Sequence, residues 1–317
     1  MKAFYCDCGQ RLFFDSSSCL SCGAAVGFDP HQLNIVPVQP DYWSCENQRI
    51  HKVCNWLVPK DSGQQFCLSC GLNEVIPKLD NPGNLTLWAR LEGAKRRLLY
   101  NLLSLNLTVT ASAGQNGLRF RFLEDQRRNP DALEDFVATG HLAGTITINV
   151  AEADNVYRAA ESDAFSERYR TLLGHFRHES GHYFFKVLIN NPELSKQWRW
   201  VFGDERTDYA RAMDAYYEAG ASPDWPESYV SPYASSHPHE DWGETFAHYL
   251  HIHDTLETAH ANGVQKPQGD DWIAEWMSLS VTLNELNRSL GLDDPYPFVL
   301  TERVTQKLKF IDRLIRQ

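Results

Sequence analysis

The sequence predicts an α+β protein, mostly helical with a small mixed sheet, preceded by a small cysteine-rich domain. Three observations carry that prediction. All eight cysteines lie between Cys6 and Cys70, and residues 71–317 contain none. Two segments, 117–125 and 144–150, alternate apolar and polar residues as half-buried strands do. Most of the remaining chain after residue 84 repeats apolar residues at helical spacing.

The chain has 317 residues, 43% of them hydrophobic, which suits one sizeable core with a small appendage. The break in cysteine usage places a domain boundary in the turn-rich stretch Pro77 to Gly83, giving domains at 1–78 and 84–317. A formal charge of -11 disfavours a nucleic-acid partner, because such affinity rests on clustered Lys and Arg. The N-terminus, MKAFYCDCGQRLFF, lacks the apolar stretch of a secretory signal, and no window approaches 18 uninterrupted apolar residues. A soluble, cytoplasmic protein with no membrane partner is expected. Thiols stay reduced in that compartment, so the cysteines read as metal ligands rather than disulfides.

The first quartet is Cys6, Cys8, Cys19 and Cys22, two tight knuckles that each end in glycine, Gly9 and Gly23. Glycine there lets the backbone curl around a tetrahedral ion. The second quartet is Cys45, Cys54, Cys67 and Cys70, in which eight residues separate the first pair. Each quartet is expected to hold one structural zinc, giving up to two, although four thiolates also suit iron. Metal binding would then supply much of the folding free energy of so small a segment. Residues 1–78 carry six Lys or Arg against seven Asp or Glu, so contact with a protein partner or with the following domain is the better reading of a ribbon that is near neutral.

After the boundary, 85–106 reads as a long amphipathic helix, followed by the strands at 117–125 and 144–150. The second strand, GTITINV, could be an open edge that aligns an extended peptide, or an ordinary sheet strand. From Phe165 a helical pattern runs to a stop at Asn191-Pro192. Further helices are predicted at 204–219, 240–259, 272–290 and 299–316, the first of them capped by Asp204 and Glu205. The Ser- and Pro-rich loop between Gly220 and His239 is longer than ordinary connections and is a candidate functional loop.

The chemistry concentrates in His-Glu-Ser-Gly-His, residues 178–182. Residues four apart share a helical face, so His178 and His182 can aim imidazole nitrogens at one ion, with Glu179 beside it. Glu179 is then the candidate general base, taking a proton from a metal-activated water. A catalytic zinc usually has three protein ligands, so a third donor is needed on another element. The segment HPHEDWGETFAHYLHIHD, 237–254, offers Glu240 as ligand and Glu244 as the carboxylate that orients a ligand histidine, with the reverse assignment also open. His248, His251 and His253 lie further along that helix and read as structural or surface residues. Tyr233, in the long loop, is the first candidate for an oxyanion donor, ahead of His237, His239 and Tyr229. His175 carries no assignment.

Taken together, the ribbon knuckles, YRTLLGHFRHESGHYFF, FGDERTDYARAM and SPYASSHPHEDWGETFAHYLHIHDTLETA resemble the zinc-binding metallopeptidases with an N-terminal zinc ribbon, a bacterial family of gluzincin type. The resemblance spans nearly the whole chain. It implies a zincin-like metallopeptidase domain behind a double zinc ribbon, with one catalytic zinc on His178, His182 and Glu240. It implies Glu179 as base, Glu244 behind the ligands, and a peptide or protein as substrate. Tyr233 corresponds to the tyrosine that gluzincins place just before the third-ligand helix. Gly243 departs from the small helix former expected between the two glutamates, at about 1 kcal/mol of helix propensity. The competing readings are a non-catalytic zinc-binding interaction module and a ribbon regulator of transcription or RNA. Three protein ligands favour the enzyme, four a closed structural site.

Overall fold

A computed structural model of the protein describes residues 1–110, 117–158, 171–267, 269 and 271–317. They pack as two units, Met1–Phe176 and Arg177–Gln317.

In the first unit, three antiparallel hairpins frame the cysteines, with Cys6 and Cys8 in the first, Cys45 and Cys54 in the third and the other four in the segments beside them. β1 (Phe4–Tyr5) pairs with β2 (Arg11–Leu12), β3 (Val26–Asp29) with β4 (Asn34–Pro37), and β5 (Tyr42–Ser44) with β6 (Leu57–Pro59). Gly9 and Gly23 adopt φ of 86° and 74°, and their N–H groups bond back to the carbonyls of Cys6 and Cys19. These are the knuckle turns that a side chain would strain. The long first spacing of the second quartet is filled by a short helix, α1 (Glu46–His51), which begins at Cys45 and ends on Lys52 in the left-handed conformation. Cys67 caps a second short helix, α2 (Leu68–Gly71), by accepting the Cys70 N–H at its sulfur.

The long helix α3 (Asn84–Ser104) follows, within two residues of its predicted bounds. It buries Trp88, Leu91, Leu98, Leu99, Tyr100 and Leu102. Tyr100 reaches into the aromatic cluster of the cysteine-bearing hairpins, 5.6 Å from Phe14, 5.9 Å from Phe28 and 6.5 Å from Phe4 between ring centres. Helix and hairpins therefore share one core. Removing such rings from water stabilises by about 1.5–3 kcal/mol each.

The sheet of this unit has the order β7 (Asn73–Val75), β8 (Arg119–Leu123), β10 (Thr145–Asn149), β9 (Gly140–Leu142). β8 is parallel to β7 and to β10, while β9 and β10 form an antiparallel hairpin, so the sheet is mixed as predicted. Parallel neighbours need a crossover, which α3 supplies between β7 and β8. β10 lies inside the sheet, paired on both sides, and the edges are β7 and β9. Of the two readings left open for GTITINV, the open peptide-binding edge fails and the ordinary sheet strand holds. Its apolar Ile146 and Ile148 are fully buried, and a buried strand does better with partners on both sides.

The unit boundary falls within α4 (Leu172–Leu188); the predicted start of this helix at Phe165 lies outside the described residues. Beyond it, Asn191-Pro192 does more than stop a helix. Asn191 accepts the Leu194 N–H and Pro192 opens α5 (Pro192–Phe202), a helix the sequence reading did not foresee. The pair is a cap and first-turn proline, which serve a beginning as well as an end. α6 (Tyr209–Ala219) starts later than predicted because Asp208 is its cap. Asp204 instead binds the backbone and guanidinium of Arg206, and Glu205 pairs with Arg199, so neither caps the helix.

The long loop contains one short helix, α7 (Trp225–Ser228), and a single 3-10 turn at Tyr233–Ser235. Then come α8 (Pro238–Ala261), α9 (Trp272–Ser289) and α10 (Glu302–Ile315), each within about three residues of its prediction. Lys307 of α10 pairs with Asp241 of α8 at 2.7 Å, both buried, and Tyr249 of α8 donates to Asp312 of α10 at 2.9 Å. Among the described residues, no helix is long and apolar enough to cross a membrane.

Candidate metal centre and active site

α4 and α8 lie antiparallel, and small residues set how closely they approach. A Cβ on Gly181 would come within 3.2 Å of Gly243 Cα, and one on Gly243 within 2.8 Å of His178 Cε1. Glycine at both positions lets the helices touch, which places the Glu240 and Glu244 carboxylates against the His178 ring. The Trp242 indole donates to the Gly181 carbonyl at 2.7 Å, and Arg177 pairs with Asp254 at 2.8 Å, both across the same helix pair. Phe184 stacks on Phe246 and Phe185 meets Trp242 edge-on, sealing the crossing with apolar surface.

The predicted ligand atoms converge. His178 Nε2 lies 3.0 Å from His182 Nε2 and 3.1 Å from Glu240 Oε2, and His182 Nε2 lies 3.6 Å from the same oxygen. Tetrahedral zinc at its usual bond lengths sets neighbouring nitrogen and oxygen ligands about 3.3–3.6 Å apart. Two of the separations fall a few tenths of an ångström short of that range and the third lies at its upper end, so small side-chain shifts let the donor set fit zinc. His178 Nδ1 meets Glu244 Oε1 at 2.8 Å, and the Ser231 hydroxyl donates to Glu244 Oε2 at 2.6 Å. With Nδ1–H donating to Glu244, the lone pair of His178 is on Nε2, facing the other donors. Glu240 Oε2 lies among the converging donor atoms, whereas Glu244 lies against the opposite nitrogen of the His178 ring.

Electrostatics favour a cation here. Burial alone would lower His178, yet Glu240 and Glu244 raise it well above an ordinary imidazole. Against the same burial, His178, then His182, hold Glu240 far below the usual carboxylate range, and His178 holds Glu244 at about 2. Both glutamates are anionic at neutral pH, beside two imidazoles.

Glu179 is 8% exposed and sits one residue from His178 on α4. Tyr233 lies with its ring 6.0 Å from that of His178. Burial, then Glu240 and other neighbours including Glu179, push the Tyr233 phenol far up, so it remains a protonated donor. The alternatives to Tyr233 are engaged elsewhere. His237 accepts the His239 N–H at Nδ1 and donates from Nε2 to the Thr207 carbonyl. Tyr229 lies under the Lys307 ammonium, and His239, lowered to about 4 chiefly by burial, packs edge-on to Phe185. His248 bonds to Tyr296, the His253 ring lies tilted against Trp272, and His251 meets Trp276 edge-on, so these three pack against neighbouring side chains away from the donor cluster. His175 faces Glu152, 3.4 Å away.

Two residues at the site carry no prediction. Ser231 holds the outer oxygen of Glu244, and the Tyr209 hydroxyl donates to Glu240 Oε1 at 3.0 Å. Both lie in segments that the sequence reading singled out, FGDERTDYARAM and the long loop, but nothing in their spacing marks the contact.

The cysteines also assemble as two quartets. Within each, the sulfurs lie inside 4.8 Å of one another, with Cys6 and Cys22, Cys8 and Cys19, and Cys54 and Cys67 each 3.6 Å apart. Zinc thiolates stand about 3.8 Å apart, so both sets fit. The quartets differ in exposure. Cys8 and Cys22 are exposed, whereas Cys45, Cys54, Cys67 and Cys70 are all buried. The second quartet is bounded by charged residues of α3: Glu92 lies 4.0 Å from Cys70 and pairs with fully buried Lys95 at 3.0 Å.

Residues 84–314 match the family described as "Putative zinc-binding metallo-peptidase". The chain belongs to that family. A zinc-ribbon domain matches twice, at 3–44 and 38–81, once for each quartet. Proteins of Mycobacterium bovis and of two strains of Mycobacterium tuberculosis, each named only as uncharacterized, are 40% identical over 333 residues, covering 99% of this chain and 95% of their own. No solved structure matches the chain significantly. Zinc binding and the metallopeptidase class therefore come with the family, together with the α+β zincin-like domain behind a zinc-ribbon region.

Proposed function

We propose that the protein is a cytoplasmic zinc-dependent peptidase of gluzincin type, acting on a peptide or protein. The observation that carries this reading is the convergence of three donors from two helices, His178, His182 and Glu240, at spacings that suit zinc, next to Glu179. In a closed structural site a fourth side chain would complete the tetrahedron; among the described residues three donors group here. That favours catalysis over a non-catalytic interaction module.

A bound zinc supplies a Lewis acid that polarises the scissile carbonyl and makes water more acidic. The rest falls to the protein. Glu244, steadied by Ser231, fixes the tautomer and tilt of His178. Glu179 accepts a proton from the attacking water and returns it to the departing amine nitrogen, so the base is regenerated at the end of each cycle. Tyr233 donates a hydrogen bond to the oxyanion as charge develops on the former carbonyl oxygen. The two cysteine quartets hold structural zinc, and eight thiols in that state suit a reducing compartment.

Glu179→Gln tests the reading because it keeps size and hydrogen bonding but removes the base. The variant should retain metal and lose about 10²–10⁴ in cleavage rate against a library of proteome-derived peptides. Equal cleavage by the two proteins, or no cleavage by the wild type, would overturn the assignment.

A further inference from the structure

Glu240 gives its two oxygens to different partners. Oε2 faces the imidazoles, whereas Oε1 accepts the Tyr209 hydroxyl at 3.0 Å. A carboxylate can hold a cation through one oxygen or both, and a hydrogen bond on the outer oxygen opposes the second mode. We propose that Tyr209 is a positioning residue that keeps Glu240 a one-oxygen ligand and so preserves a coordination position for substrate and water. The inference rests on Glu240 being a ligand.

Several contacts fix the bond at both ends. Tyr209 is the first residue of α6, held there by the Asp208 cap on the Arg211 N–H. Its ring meets His237 edge to face, 5.1 Å between centres. His237 in turn bonds the Thr207 carbonyl, two residues before Tyr209, and the His239 N–H, one residue before Glu240. One imidazole thus ties the tyrosine backbone to the start of the ligand helix. Tyr209 is 47% exposed, so its hydroxyl could have faced water at no cost in buried polarity. It turns toward the carboxylate instead. A hydroxyl committed in this way sets the geometry of the ligand rather than serving the oxyanion.

The experiment uses the full chain. A mild chelator strips the His–Glu site while zinc stays in the cysteine quartets, and cobalt(II) then refills it. Thiolate-to-cobalt charge-transfer absorption reports any metal that strays to the cysteines. Tyr209→Phe keeps the ring on His237 and should bind cobalt about 10–100-fold more weakly, with the fainter d–d bands of a higher coordination number. Tyr209→Leu should match it. Wild-type affinity and bands in Tyr209→Phe, with loss only in Tyr209→Leu, would mean that the ring packs and the hydroxyl does nothing, and would overturn the proposal. Glu240→Ala separates the two levels of inference: unchanged cobalt binding in that variant would remove Glu240 as a ligand and the proposed function with it.

Discussion

Substituting Gly243 by alanine sets two helix effects against each other. In an ordinary helix interior the change stabilises by about 0.8–1.0 kcal/mol, because alanine loses less backbone freedom. Here the added methyl carbon would stand 2.8 Å from Cε1, 3.0 Å from Nε2 and 3.2 Å from Nδ1 of His178. Carbon contacts settle at about 3.5–4.0 Å, so the gap must open by roughly 0.7 Å or more. The ring has little freedom to yield, since Nδ1 is bonded to Glu244 and Nε2 faces Glu240 and His182. Either the imidazole swings off Glu244, or α8 retreats and takes both glutamates with it. Overpacking of this kind costs about 1–3 kcal/mol, which cancels or exceeds the propensity gain. Urea unfolding should therefore show a stability between unchanged and about 2 kcal/mol lower. Chelator competition should show zinc at the His–Glu site weakened about 10–100-fold, the usual penalty for disturbing the support of a ligand histidine. A variant that gains about 1 kcal/mol and holds zinc like the wild type would refute the close approach.

Three further outcomes follow from other contacts. Burial pushes Asp241 to about 7 despite Lys307, so Lys307→Met strands a buried carboxyl and should cost about 3–5 kcal/mol in urea unfolding, while a loss below about 1 would mean the pair is dispensable. Burial would raise Asp312, but His253, Arg316 and Tyr249 hold it at about 2 against an ordinary 3.8, so its stabilisation is complete above 3.8 and lost as pH falls toward 2. Asp312→Asn should flatten that acid limb in unfolding midpoints taken at pH 5 and pH 3, and an unchanged slope counts against the contact. An alkylating probe read by mass spectrometry should label Cys8 and Cys22 well before Cys45, Cys54, Cys67 and Cys70, and simultaneous labelling would contradict their difference in burial.

The parts of the site that a sequence displays are those with a local period. His178 and His182 share a face because they are four apart, and so do Glu240 and Glu244, which is why both pairs were visible before any fold. The residues that went unseen act across elements. Gly243 reads as a helix defect until the His178 ring is placed beside it, and Ser231 and Tyr209 are ordinary polar residues until each meets the outer oxygen of a glutamate. Long helices were legible from periodicity, with bounds shifted by caps. Asp208, Asp204 and Glu205 are chemically similar candidates, and the choice of Asp208 depends on Arg206 and Arg199 claiming the other two. β10 looked like a possible edge because alternation describes one strand, whereas edge or centre is a property of its neighbours.

The insertion of Tyr100 among Phe4, Phe14 and Phe28, with Glu92 and Lys95 against the second quartet, bears on how the chain can be dissected. A protein begun at residue 79 would keep the Glu92–Lys95 pair on that helix but strip it of Cys70 and Asn73, and would strip Tyr100 of the three rings that cover it. Loss of activity in such a fragment would report a damaged helix rather than a missing regulator. The cysteine-bearing stretch is a keystone of its unit, and its influence on activity is better probed by single changes at the exposed Cys8 and Cys22 than by deletion.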